Sequence, residues 1–183
     1  MNFMDLIESR RSVREYADRP VAREKIERCL EAARLAPSAC NSQPCRFIVV
    51  DEPALRQAVA RAALGPAGSF NRFAAAAPLL VAVTVERNIH TQIGGLLKGM
   101  RYNLIDLGIA AEHFCLQAVE EGLGTCMIGW FGGRRVKRLL GVPRGRKVGL
   151  LIAVGYPADG EIKPKKRKPL EEIRSYNRFA AKG

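Results

Sequence analysis

The chain has 183 residues, of which 48% are hydrophobic and 26% charged; these are ordinary values for a globular domain and argue against disorder. Its longest apolar stretches, 74–85 and 148–154, are too short to cross a bilayer, and residues 1–14 lack the apolar core of a signal peptide. Thirty Lys and Arg against eighteen Asp and Glu leave a net charge of +12, which favours an anionic partner: nucleic acid, anionic lipid or a phosphorylated small molecule.

Two helices are predicted near the N-terminus. Asn2 can cap a helix that runs to about Ser9. Pro20 is predicted to open a second helix, in which apolar residues recur at helical spacing. Pro37 ends that helix, because proline disfavours the helical conformation in the residue before it.

The next part of the chain alternates strands and a helix. β-Branched and apolar residues predict buried strands over 46–50 and 79–85, with a helix over 53–64 and a turn over 65–68 between them. The stretch 86–100 has three glycines and no clean hydrophobic period, so we interpret it as a mobile connection.

The strongest helix signal in the chain covers residues 102–121. Gly122 or Gly124 is expected to end this helix. Its predicted apolar face is wide and consists of Leu104, Leu107, Ala111, Phe114, Cys115, Ala118 and Val119.

The last third of the chain predicts two more strands, over 125–131 and 148–154, with a short helix over 134–140 between them. A charged loop over 163–168 and a short helix over 170–176 follow. The sequence shows no repeat and no linker, so the whole 183-residue chain is interpreted as one domain. Long helices between continuous apolar strands indicate a sheet that is covered on both faces, but the pattern does not give the strand order.

The cysteines carry no metal or disulfide signature. The five are odd in number, scattered, and form no CxxC pair, so the sequence predicts neither a zinc site nor a disulfide framework. Cys115 and Cys126 stand in apolar contexts and are predicted to fill the core. This usage fits a reducing compartment, and we expect the protein in the cytoplasm.

A basic segment directly follows the first predicted helix: Arg10-Arg11-Ser12-Val13-Arg14. Three guanidiniums and a hydroxyl make a strong oxyanion site, since arginine matches phosphate oxygens in a bidentate way and serine donates one further bond. Taken alone, such a string is more often a solvated basic turn, and both interpretations stay open at this point.

Three other segments also allow two interpretations each. In the proline-bounded loop 36–44, Asn41 and Gln43 suit the pyrimidine edge of a flavin or nucleobase, or they simply cap neighbouring elements. A strand ending in Gly129 lets its backbone approach a planar ligand, although a core strand followed by a turn explains it too. The run 164–169 is a solvated loop or, as a bare string, a nuclear import signal.

Together and in this order, these segments resemble the nitroreductase family. That family opens with an RRSxR turn, then a helix, then an APSxxNxQPW loop leading into a strand; this chain has RRSVR, LAPSACNSQPC and RFIVV. It continues with LIDLGIAAEHFCLQAVEEGLGTCMIGW, like the family's central helix and the glycine-bearing strand after it. It ends with KKRKPLEEI, like the family's terminal basic motif, so the match covers roughly residues 6–176.

The resemblance implies an α+β, nitroreductase-like fold: a central mixed, largely antiparallel sheet flanked by helices, with C-terminal exchange across a homodimer. It also implies an FMN site. The phosphate would be held by the first basic segment and the C-terminal loop, that is by Arg10, Arg11, Ser12, Arg14, Lys165 and Arg167. The flavin would be contacted from the partner subunit by Pro37, Ser38 and Ala39, with Asn41 and Gln43 nearby. A backbone N–H would be brought towards flavin N5 by Ile128, Gly129 and Trp130.

The implied activity is that of an FMN-dependent oxidoreductase. Hydride would pass in a ping-pong manner from NADH or NADPH through FMN N5 to a small-molecule acceptor such as a nitroaromatic or quinone. The flavin carries the chemistry, so no catalytic residue and no metal ligand is expected in the protein. His113, on the central helix, is predicted to be structural, whereas His90 lies in the connection 86–100 and is a candidate for substrate contact.

Two positions depart from the family pattern. Cys45 stands where the family usually has tryptophan, which predicts looser packing behind the flavin. The connection 86–100 is short for the family, in which this region forms part of the substrate lid.

Two rival functions belong to other classes. A basic nucleic-acid-binding module without flavin would explain the charge of +12 and predicts a continuous basic stripe. The second rival is a flavoprotein of the same fold with a non-reductase task, such as flavin fragmentation or dehalogenation. The flavin interpretation instead predicts that the two end clusters of basic residues converge on one pocket, with neither nucleic acid nor membrane as partner.

Overall fold

The computed structural model describes residues 1–64, 70–86, 99–158 and 165–179. The predicted turn at 65–68 lies outside the described residues, as do His90 and most of the predicted connection 86–100. Within the described part of the chain, no helix is long and apolar enough to cross a membrane.

Four strands form one antiparallel sheet: β1 (Cys45–Val50), β2 (Leu79–Glu86), β3 (Gly124–Ile128) and β4 (Arg146–Gly155). Their order across the sheet is β1-β2-β4-β3, so β2 and β4 are central and β3 is an edge strand. A single parallel bridge, between Ser12 and Thr125 of β3, adds a parallel contact at that edge. The α+β class and the largely antiparallel sheet expected from the sequence are therefore confirmed.

The sheet is buried on both faces, as its continuous apolar strands predict. Successive side chains of a strand point to opposite faces. In β2, accordingly, Val81 and Val83 belong to one hydrophobic cluster, whereas Leu80 and Ala82 belong to the other. Cys115 and Cys126 are buried in these two clusters, as predicted from their apolar contexts.

In the described part of the chain, six helices surround the sheet: α1 (Phe3–Ser9), α2 (Arg23–Arg34), α3 (Pro53–Ala63), α4 (Tyr102–Glu120), α5 (Gly133–Leu139) and α6 (Leu170–Ile173). Helices α2 and α4 supply residues to one cluster, and α3 and α5 supply residues to the other. Two short 3-10 turns, Ala39–Asn41 and Arg72–Ala75, were not predicted.

Several predicted boundaries are wrong. Helix α2 begins at Arg23 rather than at Pro20, because Ala22 has an extended backbone and Val21 packs against the core. Strand β3 ends at Ile128 rather than at residue 131, because its pairing with β4 stops there. Helix α6 ends at Ile173 rather than at residue 176, since Arg174 is extended.

One part of the predicted apolar face of the central helix is exposed. Leu104 keeps 42% of its surface accessible, and its neighbour Ile105 keeps 45%. The rest of that face, from Leu107 to Ala118, is buried against the sheet and α2. The first turn of α4 therefore has apolar side chains that the described residues of the chain leave exposed.

A cluster of charges joins α2 to the end of α4. The carboxylate of Glu121 accepts two hydrogen bonds from Arg28, at 2.6 and 2.7 Å, and lies 3.9 Å from Lys25 Nζ. Lys25 also donates to the main-chain carbonyl of Glu121. The hydrogen bonds from Arg28 are the main reason that the pKa of Glu121 falls from its ordinary 4.5 to about 2.

The interactions of Glu121 with Arg28 and Lys25 predict that the free energy of unfolding falls in acid. A carboxyl whose pKa is depressed in the folded state stabilises the fold fully above its unfolded pKa, and that contribution is lost as the pH falls from about 4.5 to about 2. Glu121→Gln should lower the free energy of unfolding at pH 7 by up to about 1 kcal/mol and should weaken its decline in acid. Urea unfolding at pH 7 and about pH 3.5 measures both.

Glu31→Gln is the matched control, because the Glu31 side chain pairs with Arg34 within α2 and forms no ion pair with another element among the described residues. Its effect should be the smaller one at both pH values. Equal losses from the two substitutions would mean that Glu121 does not hold α2 and α4 together.

Candidate functional site

The basic segment 10–14 is fixed against the edge of the sheet. The Arg10 N–H donates to the Leu6 carbonyl at the end of α1, and the Val13 N–H donates to the Thr125 carbonyl of β3 at 2.9 Å. At Gly124 a Cβ would lie 2.6 Å from Val13 Cγ2, so a larger residue there would push the segment away. The segment is therefore tied to β3 rather than lying free as a solvated turn.

The two end clusters of basic residues meet beside α1. Lys165 Nζ donates to the Ile7 carbonyl, although 158 residues separate them. The pKa of Lys165 is lowered, first by burial and then by the positive charges of Arg10, Arg167 and Arg11. Arg10, Arg11 and Arg167 thus lie close enough to Lys165 to disfavour its charged form.

This cluster has little negative charge of its own. Arg10 Nε lies 3.2 Å from Glu112 Oε1. Arg11 Nε is buried and has no hydrogen-bond partner among the described residues. A buried guanidinium donor without a partner is costly, and an anion accepting from it would remove that cost. The cluster therefore fits a phosphate group.

Arg14 is directed elsewhere in this structure. Its guanidinium carbon lies 5.7 Å from the ring centroid of Phe73, in the second 3-10 turn. Ser12 is exposed and joins Thr125 only through the backbone bridge. Of the predicted phosphate residues, Arg10, Arg11, Lys165 and Arg167 are thus the ones that the structure brings together around Lys165.

The loop between α2 and β1 has an unusual backbone. Cys40, Asn41 and Gln43 all have positive φ values, of 51°, 49° and 44°. Asparagine tolerates this left-handed region, but for cysteine and glutamine it is strained, at a cost on the order of 1–3 kcal/mol each. Strain of this kind persists only where neighbouring contacts enforce it.

Those contacts are visible around the loop. The Ala39 N–H donates to Asp106 Oδ1 of α4 at 3.0 Å. The Gln43 N–H donates to Ser38 Oγ at 2.9 Å, and Gln43 Nε2 donates to Asn41 Oδ1 at 3.1 Å. The loop is therefore one hydrogen-bonded unit that includes the predicted residues Ser38, Ala39, Asn41 and Gln43. Among the described residues, it has no contact with the basic cluster around Lys165.

Asp106 is a site residue that the sequence analysis missed. It is only 4% exposed, and its Oδ2 atom has no partner within the described part of the chain. The sequence did contain a signal for it, because Asp106 is an acidic residue next to Leu107 in the apolar face of a predicted helix. Such a carboxylate is retained when it accepts hydrogen bonds that nothing else provides, as it does here from Ala39.

A cavity of about 400 Å³ lies beside this loop, between the end of α2, the start of β1 and α4. Cys45 lines it, together with Pro37, Ser38 and Asp106. Burial, helped by the charge of Asp106, raises the pKa of the Cys45 thiol to about 11, so the thiol is neutral at physiological pH. The open space at Cys45 is consistent with the looser packing expected from its small side chain.

The end of β3 presents open backbone. Ile128 is buried, Gly129 is exposed, and a Cβ at Gly129 would meet no atom within 4 Å. Trp130 follows with 65% of its surface exposed, and its carbonyl accepts from Asn71 Nδ2 at 2.8 Å. Such an open backbone edge can be approached closely by a planar ligand.

Of the two histidines, only His113 lies among the described residues. His113 Nδ1 lies 3.3 Å from the Ala32 carbonyl and so links α4 to α2, in agreement with the structural role predicted for it. His90, the candidate for substrate contact, lies outside the described residues. No group of three or more potential metal ligands is found in the described part of the chain.

Comparison with known proteins gives concordant matches. The sequence model described as the Nitroreductase family matches residues 7–156. An NADH dehydrogenase of Thermus thermophilus is 30% identical over 191 aligned residues, covering 90% of each chain. The FMN reductase (NAD(P)H) of Bacillus subtilis is 28% identical, covering 89% of this chain and 68% of its own. A crystal structure of a nitroreductase family protein from Clostridium novyi NT matches with a TM-score of 0.78 at 29% identity, covering 89% of each chain.

Asp106 is predicted to hold the strained loop in place. Asp106→Ala removes the acceptor of the Ala39 N–H and should lower the free energy of unfolding by about 1–3 kcal/mol, the cost of leaving a buried donor unpaired. Asp106→Asn keeps an acceptor oxygen at that place and should cost less. Hydrogen exchange of the Ala39 amide measures the contact directly: it should accelerate strongly in the alanine variant only. Unchanged protection of that amide in Asp106→Ala would contradict the assignment.

Proposed function

This chain belongs to the nitroreductase family, and we propose that it is an FMN-dependent oxidoreductase that takes electrons from NADH or NADPH and works as a homodimer. The observation that carries the proposal is that Lys165 is bonded to the Ile7 carbonyl, close to Arg10 and Arg11, of which Arg11 has a buried Nε donor without a partner among the described residues. Four cations at one point suit a compact anion such as a phosphate monoester better than the continuous stripe that a nucleic acid needs.

The phosphate of FMN would be held by the basic segment and the C-terminal loop. Arg10, Arg11, Lys165 and Arg167 supply the charge, and Ser12 and Arg14 complete the set proposed from the sequence. Burial and neighbouring cations lower the pKa of Lys165, so its neighbours disfavour its charged form. A bound dianion would reverse that effect and hold the lysine protonated.

The flavin ring would lie against the open end of β3. Ile128, Gly129 and Trp130 offer backbone N–H groups there, and the absence of a side chain at residue 129 leaves room for a flat ligand. FMN, when bound, supplies two-electron redox chemistry, namely hydride transfer at N5 from NAD(P)H and onward to a nitroaromatic, quinone or similar acceptor, in ping-pong order. The protein supplies orientation, fixed N–H dipoles and partial exclusion of water.

The partner subunit would complete each site. The loop with Pro37, Ser38, Ala39, Asn41 and Gln43 is held rigidly but makes no described contact with the phosphate-binding residues of its own chain, which suits a loop that serves the other subunit's flavin. Its strained backbone also fits a binding loop.

The C-terminal segment supports the same assembly. Four apolar side chains of residues 170–179 are strongly exposed: Leu170 at 54%, Ile173 at 71%, Tyr176 at 76% and Phe179 at 92%. Apolar side chains at this density mark a contact surface, and exchange of the segment across a homodimer would cover them. The chain is proposed to act as a single domain in each subunit, in the cytoplasm, where its five free thiols stay reduced.

The phosphate assignment predicts a loss of affinity that depends on the ligand's phosphate. Arg10→Ala and Lys165→Ala should each weaken FMN binding about tenfold or more, because each removes a charge-assisted contact worth about 1.5–3 kcal/mol. Riboflavin has no phosphate, so its affinity should change little. Flavin fluorescence titration of the apoprotein measures both ligands.

Arg23→Ala is the charge-matched control, since the Arg23 side chain is 86% exposed on α2 and pairs only with Glu27 in its own helix. Its affinity for both flavins should match that of the parent chain. Equal losses of FMN and riboflavin affinity in the Arg10 and Lys165 variants would contradict the phosphate site. A colourless protein that cannot be reconstituted with FMN would contradict the proposed function itself.

The shared-site arrangement predicts a dimer. Light scattering coupled to size exclusion should give twice the chain mass of 20.1 kDa for the intact chain. Ending the chain after Lys168, which keeps the proposed phosphate ligands and removes the exposed apolar segment, should weaken the dimer and lower flavin occupancy together. A flavin-loaded, active monomer at working concentration would contradict this assembly.

A further inference from the structure

Two large aromatic side chains lie exposed beside the end of β3, and the proposed function uses neither ring. Phe70 keeps 70% of its surface accessible and Trp130 keeps 65%. Their ring centroids are 6.0 Å apart and their planes differ by 20°, so the two rings are stacked. Because aromatic residues gain much by burial, an exposed stacked pair indicates a contact surface.

The pair rests on fixed backbone. Asn71 Nδ2 donates to the carbonyls of Ala63 and Trp130, both at 2.8 Å, and so ties the aromatic pair to the end of α3. The Gly132 N–H donates to the Ala62 carbonyl at 2.9 Å, and a Cβ at Gly132 would come within 3.0 Å of that same oxygen. The rings are therefore presented by anchored chain, which lowers the entropy lost on binding.

Two arginines follow the aromatic pair in the first turn of α5. Arg134 and Arg135 are exposed, and this turn contains no acidic residue. Cations at this end of a helix are disfavoured by the helix dipole, and Arg138 adds a like charge four residues after Arg134. Among the described residues, neither Arg134 nor Arg135 forms an ion pair. Trp130 and Arg134 are four residues apart in sequence, so their Cα atoms are at most about 14 Å apart.

We propose that Phe70, Trp130, Arg134 and Arg135 form a nucleotide subsite separate from the FMN phosphate cluster. A planar heteroaromatic ring would stack on the aromatic pair, and a phosphate group of the same ligand would pair with the two guanidiniums. The proposal rests on the proposed function, because the ligands that carry both features are the donor NADPH, through its 2′-phosphate, and a free flavin nucleotide as acceptor. A neutral nitroaromatic or quinone would engage only the rings.

Matched pairs of ligands test this subsite. The double variant Arg134→Gln/Arg135→Gln is assayed with two ligand pairs: NADPH and NADH as donors, and FMN and riboflavin as acceptors. The ratio of the KM for NADPH to that for NADH, or the ratio of the KM for FMN to that for riboflavin, should rise roughly tenfold. The reason is that NADPH and FMN carry a phosphate that NADH and riboflavin lack. A change confined to the NADPH pair identifies the donor as the ligand, and one confined to the FMN pair identifies the acceptor. Trp130→Ala should raise the KM of both members of the responding pair, since it removes the stacking surface.

Arg144→Gln/Lys147→Gln removes the same charge from exposed positions further along the chain and should leave both ratios unchanged. Equal ratios in the arginine variant and this control would overturn the proposal. So would loss of bound FMN in the arginine variant, which would place these residues in the cofactor site, or dissociation of the dimer, which would place them in the subunit interface. A parent chain that binds no FMN would instead refute the proposed function.

Discussion

The contact between residues 12–13 and the edge strand β3 is the constraint on which the rest of the site depends. Because β3 is at the edge of the sheet, its outer side is free to pair with Ser12 and to accept the Val13 N–H. Gly124 allows the Val13 side chain to lie where any larger residue would collide with it. One short contact thus sets the spacing between the basic segment and the open backbone at Gly129, which are the two parts of the molecule proposed to hold the two ends of a flavin mononucleotide.

Several segments outside the sheet contain locally unfavourable arrangements. Cys40 and Gln43 have strained backbone conformations, Arg11 keeps a buried donor without a partner, and apolar residues of the C-terminal segment are exposed. The sheet shows the opposite behaviour, since β2 is buried on both faces and alternates between two hydrophobic clusters, and β4 does the same from Leu150 to Val154. A stable sheet can hold neighbouring segments in several unfavourable local arrangements at once. Such arrangements are commonly found at functional sites.

Much of the fold follows from the sequence, but its long-range features do not. The apolar runs of β2 and β4 and the period of α4 predict their elements because burial dictates the residue type locally. Strand order depends on pairings between distant segments, and the apolar residues after Ile128 extended the predicted β3 although pairing with β4 stops there. Asp106 escaped notice because one acid in an apolar helix has meaning only once Ala39 lies against it. The meeting of Lys165 with the basic segment near Arg10 was predicted through family resemblance, not from any local pattern.

The bond from Lys165 to the Ile7 carbonyl closes the molecule across 158 residues of chain. In biosynthesis, the N-terminal basic segment and all four strands leave the ribosome before Lys165 and Arg167 do, so the growing chain can form its sheet while the phosphate-binding cluster is still incomplete. The cofactor would then bind only after the C-terminal segment has been synthesised. Nascent chains that stall before residue 165 therefore lack the stabilisation that a bound ligand provides. Chaperones and proteases would act on them in that less stable form.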